Sequence, residues 1–169
     1  MSKDTTLFYH ARCPDGFGSA YAFWRKFGDT INYHALGHHK RSELNLNEYK
    51  GQRVFMADIS LERARMLELN DVAVELVVLD HHKSAMEDLE GLDFCHFDMK
   101  RSGAVMSWNY LFNRPAPRLL RFVQDRDLWN WDLDNSDDVL LYADSVGYDF
   151  EKWKDLELEF EKPERFETV

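Results

Sequence analysis

With 169 residues, 44% of them hydrophobic and 14% aromatic, the chain can bury one real core, has hardly room for two, and is not a disordered polymer. Its formal net charge of -10 argues against a general binder of long nucleic acids, which needs a basic surface. No apolar run approaches the ~20 residues that span a bilayer, the N-terminus lacks a signal-peptide apolar region, and Cys13 and Cys95 are too few for a disulfide framework, so a reduced, cytoplasmic setting is expected.

In chain order, short β-rich runs alternate with helical spacing. Strands are expected over Leu7–His10, Ile31–Leu36, Arg53–Asp58, Val74–Asp80 and Phe94–Phe97. Helices are expected over Gly18–Phe27, Leu61–Leu69 with Ser60 as N-cap, and Ser84–Leu89. The alternation predicts an α/β fold, a mostly parallel sheet covered on both faces. After the fifth strand the chain turns helical. Ser102 caps a segment whose Val105, Trp108 and Phe112 share a face, Pro115 and Pro117 punctuate it, and Arg118–Gln124, Val139–Val146 and Phe150–Phe160 follow. The expected organisation is one catalytic domain over residues 1–131, with residues 132–169 as a helical extension packed on it.

Three predicted strands end in metal-ligating residues. His10 leads into Cys13-Pro14-Asp15-Gly16, Ala57 into Asp58, and Leu79 into Asp80-His81-His82. In an open parallel sheet the ligand crevice lies beyond the carboxyl ends of the strands, so carboxylates and imidazoles collect where a polynuclear metal site can form.

The ordered stretches His10 to Ser19, Asp58-Ile59-Ser60, Asp80-His81-His82 and Ser102-Gly103-Ala104, with Asp125 as a fourth acidic motif, resemble the DHH phosphoesterase superfamily. That superfamily includes RecJ-type exonucleases and hydrolases of short oligoribonucleotides. The resemblance implies a Rossmann-like three-layer domain with strand order 2-1-3-4-5 and two divalent cations, typically Mn²⁺, with Mg²⁺ or Co²⁺ as alternatives. It makes His10, Asp15, Asp58, His81 and Asp125 metal ligands, with Asp58 bridging and Asp127 the nearby competitor of Asp125. Cys13 stands where the family usually carries an Asp, and is either a weak ligand or a neutral wall residue. Asp80 supports the metal-binding His, fixing its tautomer, and His82 faces the substrate to bind phosphate or protonate the leaving oxygen.

The implied reaction is phosphoester hydrolysis by a metal-bound hydroxide, with catalysis assigned to Asp58, Asp80 and His82. Ser102 and Gly103 open a helix whose free N–H groups could take phosphate, and Arg101 and Lys83 could add positive charge. Lys100 and Arg12 lie beside the same motifs. Bland readings are expected elsewhere: His38 and His39 as a surface pair, His34 and His96 as structural, and Trp129 and Trp131 as packing more than as a base-stacking platform. Nothing after Trp131 has the pattern of the small second domain common in such enzymes. A stand-alone catalytic domain acting on a small nucleotide or short oligonucleotide is therefore expected, not on long duplex DNA, with a homodimer as one way to complete the cleft. The alternative is a catalytically inactive binding module on the same fold.

Overall fold

A computed structural model describes residues 4–162. Five strands form one parallel sheet, β1 (Thr5–His10), β2 (Asn32–Leu36), β3 (Arg53–Ala57), β4 (Glu75–Asp80) and β5 (Cys95–Phe97), in the order β2-β1-β3-β4-β5. Among the described residues seven α-helices accompany it: α1 (Pro14–Phe27), α2 (Arg63–Val72), α3 (Lys83–Asp88), α4 (Gly103–Leu111), α5 (Arg118–Asp127), α6 (Ser136–Val146) and α7 (Phe150–Phe160). The expected α/β class and strand order are those observed. No helix among the described residues is long and apolar enough to cross a membrane.

The central strands are apolar on both faces because both faces are covered. Leu7, Phe55, Val77 and Leu79 pack with Ala20 and Phe23 of α1, while Phe8, Val54, Met56 and Val78 pack with Met66 and Leu69 of α2. Outside α1, a second helical layer shares one core: Phe17, Trp108, Leu120 and Phe122 meet Leu140, Trp153 and Phe160 of the C-terminal helices. Helices α6 and α7 therefore share a core with α1, α4 and α5. Glu157 of α7 also accepts a hydrogen bond from Tyr21 of α1 (2.6 Å) and pairs with Arg25.

Among the boundaries that differ from expectation, two helix starts bear on the site. Helix α1 begins at Pro14, since proline suits a first turn whose N–H would go unpaired anyway, and so Gly16 and Gly18 lie inside the helix. Glu62, not Ser60, occupies the N-cap of α2. Ser60 is buried, and its carbonyl accepts a hydrogen bond from Arg41 (3.0 Å). The glycines of α1 reflect crowding. A Cβ on Gly16 would overlap the His10 carbonyl oxygen, and one on Gly18 would stand 2.8 Å from the Ala104 methyl. These contacts let α1 lie close over the end of β1 and against α4.

Candidate metal centre

Strand β3 ends at Ala57, and Asp58 adopts φ +58, with its N–H donating to the Leu79 carbonyl of β4 (2.9 Å). Aspartate tolerates this left-handed conformation better than most residues. The turn takes Asp58 out of the strand's alternation and leaves its carboxylate buried among three imidazoles. His10 Nδ1 lies 3.4 Å from Asp58 Oδ2, and His81 Nε2 lies 3.2 Å and His82 Nδ1 3.9 Å from Oδ1. His81 Nε2 also stands 3.5 Å from Asp15 Oδ2 and 3.4 Å from Asp127 Oδ2.

Three carboxylates thus converge on one imidazole nitrogen. Burial disfavours charge on His81, but its hydrogen bond to Asp58 and the charges of Asp15 and Asp127 outweigh it and raise the ring to about 9. Burial also works against ionisation of Asp58, yet His10 and His81 hold that carboxyl at about 2. Asp15 and Asp127 are raised, first by burial and then by repulsion from Asp58. One imidazolium cannot balance three carboxylates. The charge it leaves unmatched is what a divalent cation would supply.

The donor set passes a direct test of fit. Asp58 Oδ2 and Asp127 Oδ2 are buried and make no hydrogen bond, a costly state for carboxylate oxygens without a cation. Ligand atoms of His10, Cys13 and Asp58 lie within 4.8 Å of one another, as do those of Asp58, His81 and His82, and those of Asp15, His81 and Asp127. Asp58 belongs to two of these groups, the position of a bridging carboxylate. Oxygen and imidazole donors suit a hard or borderline dication. The thiol of Cys13 is pushed up to about 12 by burial and by Asp58, so it is uncharged at neutral pH unless a cation is beside it.

Several expectations need correction. Asp125 is not in the cluster. Its carboxylate accepts from the N–H groups of Asp132 (2.9 Å) and Leu133 (3.2 Å) and from the Ser136 hydroxyl, tying the loop after α5 to the start of α6. Asp127 takes the place expected of it. Both acids are shielded, Asp125 fully and Asp127 in part, and at ~100° per residue they point about 200° apart, so α5 aims Asp125 at the loop that follows it and Asp127 at the cluster.

The N-terminus of α4 is not a free phosphate site either. The N–H groups of Gly103 (2.6 Å) and Ala104 (2.9 Å) already donate to the Asp15 carboxylate, and Ser102 is fully buried, its hydroxyl accepting from Val105. An internal carboxylate fills the anion position that the helix end offers. Gly103 permits this, because a Cβ there would stand 2.6 Å from Asp58 Cβ. Arg101 is exposed and paired with Asp98 (3.1 Å), and Lys83 with Glu87 (3.8 Å). Neither joins the cluster.

Asp80 orients His82 and not, as expected, the ring of His81. Its Oδ1 accepts from His82 Nδ1 (2.7 Å) and from the backbone N–H groups of His81 (2.8 Å) and His82 (3.2 Å). A surface position is expected for His38. It is exposed, but its ring packs against His10 with centroids 4.6 Å apart, because a short 3-10 turn over His38–Glu43 folds the end of β2 over the site.

The two acids of α5 should therefore separate cleanly. Asp127→Ala is expected to weaken Mn²⁺ binding at least tenfold with little loss of stability, since it removes a candidate ligand and relieves a repulsion. Asp125→Ala is expected to leave Mn²⁺ affinity near wild type but cost about 2–4 kcal/mol by orphaning buried donors. Calorimetric Mn²⁺ titration and thermal unfolding of both variants check this, and the reverse pattern would restore Asp125 as the ligand.

No family model matches the chain. It is similar to an uncharacterized protein of Acanthamoeba polyphaga mimivirus, 31% identical over 163 residues, covering 88% of this chain and 39% of that protein. The chain thus spans about two-fifths of the length of the curated relative it matches. Among solved structures it resembles an uncharacterized protein from Helicobacter pylori G27, with a TM-score of 0.62 and 18% identity over 76% of this chain and 44% of that one, a likeness of fold.

Proposed function

We propose that the chain is a metal-dependent phosphohydrolase of the DHH type, cleaving a P–O bond of a small nucleotide or short oligonucleotide. The observation that carries this reading is Asp58, a buried carboxylate in a left-handed turn, shared between two groups of candidate ligands and facing three imidazoles. His10, Cys13 and Asp58 would hold one divalent cation, and Asp58, His81, Asp15 and Asp127 the other, with Mn²⁺ the first choice. Such cations neutralise developing charge on phosphoryl oxygens and bring the pKa of a water into the working range. A softer ion than Mg²⁺ suits the subsite that contains the thiol.

The residues supply the rest of the chemistry. His82 is partly open to solvent, its side chain 42% exposed, and it is held at Nδ1 by the buried Asp80. That hydrogen bond raises the ring's pKa. With Nδ1–H donating to Asp80, Nε2 is left to hold a phosphate oxygen or to pass a proton to the leaving oxygen. Asp80 acts by positioning. Asp15 fastens α4 across the site, and Gly16 and Gly103 allow the backbones to approach. A cytoplasmic setting belongs to the same proposal, on the two free cysteines.

Hydrolysis of bis-p-nitrophenyl phosphate with Mn²⁺, Mg²⁺ or Co²⁺ tests the reading. Turnover that depends on Mn²⁺ and is abolished by chelation is expected. A folded protein inactive with all three cations would favour a binding module instead.

A further inference from the structure

A cleft of about 610 Å³ adjoins the cluster, lined by its carboxylates Asp15 and Asp127 and by Arg12, Trp129, Trp131 and Tyr148. Its volume lies in the range of small-molecule sites. Trp129 is 77% and Trp131 43% exposed, and their rings meet edge to face with centroids 5.5 Å apart. They are not the core packing expected from the sequence.

These indoles have no structural explanation in terms of burial, and their backbone makes the point stronger. Trp129 and Trp131 have φ +56 and +55, and Arg12, on the same cleft, has φ +57. A bulky residue is disfavoured there, and glycine or asparagine would be the relaxed choice. Exposed rings on an unfavourable backbone contribute little to stability and hold that conformation only because the surroundings impose it. Those surroundings are visible. Asp125, through its carbonyl to Asn130 (2.9 Å) and its carboxylate to Asp132 and Leu133, fixes the loop that presents both rings.

Charge narrows the occupant. Asp15, Asp127, Asp137 and Asp144 face Arg12 and Arg126 across the cleft, so a phosphate is repelled until a cation offsets the carboxylates. Arg126 Nη1 is buried and makes no hydrogen bond, its nearest carboxylate, Asp144, being 3.9 Å away. A ligand that fits has a phosphate for the Asp15–Asp127 end and a flat π-face for the indoles. Stacking on aromatic side chains is tolerant of base identity because every base offers a π-face.

The geometry points to a base-binding subsite: Trp129 and Trp131 stack the base of a nucleotide whose phosphate lies toward Asp15 and Asp127. This rests on the phosphohydrolase reading and narrows its substrates to base-bearing phosphates. Calorimetric titration with Mg²⁺ present, using AMP and ribose 5-phosphate as probes, tests it. AMP should bind at least about tenfold more tightly than ribose 5-phosphate. Trp129→Asn should remove that preference while leaving ribose 5-phosphate binding and Mn²⁺ affinity near wild type, with a thermal midpoint unchanged or higher. Equal affinity for the two probes, no AMP binding, or wild-type AMP affinity in Trp129→Asn would each overturn the subsite. A Mn²⁺ titration of the same protein keeps the two readings apart. Absence of Mn²⁺ binding sinks the phosphohydrolase, whereas Mn²⁺ binding without an AMP preference sinks the base subsite alone.

Discussion

Asp58→Asn is expected to lower Mn²⁺-dependent hydrolysis of bis-p-nitrophenyl phosphate by on the order of 10³-fold or more, while the protein stays folded. Asparagine keeps the size of the side chain and is at ease in the left-handed conformation that residue 58 adopts. What it loses is the negative charge that both ligand groups share. Among the described residues no other carboxylate belongs to the ligand group of His10 and Cys13 as well as to one that contains His81.

The stability cost has a definite sign. The folded carboxyl of Asp58 is held at about 2, below its ordinary value of 3.8, by His10 and His81 against the opposing effect of burial. Its ionised form therefore stabilises the metal-free fold above the ordinary value, and this contribution is lost as pH falls through about 2. At neutral pH the substitution should cost about 2 kcal/mol, a drop of roughly 4–8 °C in the thermal midpoint for a domain of this size. Near-wild-type hydrolysis by Asp58→Asn would show that the carboxylate is a structural cap.

Gly16→Ala is expected to destabilise the fold where α1 lies against the end of β1. Helix propensity alone favours alanine inside α1 by about 1 kcal/mol. Against that, the added methyl would overlap the His10 carbonyl oxygen and stand 2.7 Å from His10 Cβ, where the obstacle is strand backbone and cannot rotate aside. Overpacking of this kind costs about 1–3 kcal/mol and more when backbone must move, so the clash outweighs the propensity. At the upper end of that range, about 3 kcal/mol less the roughly 1 kcal/mol of propensity, the thermal midpoint should fall by roughly 4–8 °C. Displacement of His10 should also weaken Mn²⁺ binding at the subsite it shares with Cys13. A stabilised Gly16→Ala would mean that α1 lies further from β1 than described.

The parallel sheet could be read from the sequence because its strands are continuous apolar runs with polar ligands at their carboxyl ends, and both features are local. Asp15, Asp58, His10 and His81 are legible for the same reason: each stands at or just beyond the end of a strand, and they meet at one sheet edge. The choice between Asp125 and Asp127 was not a matter of strand ends. It depended on the rotational position of α5, which runs to Asp127, three residues past its expected end. The filled N-terminus of α4 was illegible because Gly103 and Ala104 receive Asp15 from 88 and 89 residues away. Trp129 and Trp131 misled because aromatic residues near a helix end usually pack inward, and only the loop geometry held by Asp125 turns them out.

Uptake of two divalent cations by the cluster is the property on which the proposed chemistry most directly depends. Anomalous scattering from a Mn²⁺-soaked crystal measures this without reference to any substrate. Two peaks are predicted, one among His10, Cys13 and Asp58, the other among Asp15, Asp58, His81 and Asp127, with Asp58 touching both. A map with no peak at Asp58, and the His81–Asp58 hydrogen bond intact at saturating Mn²⁺, would contradict it.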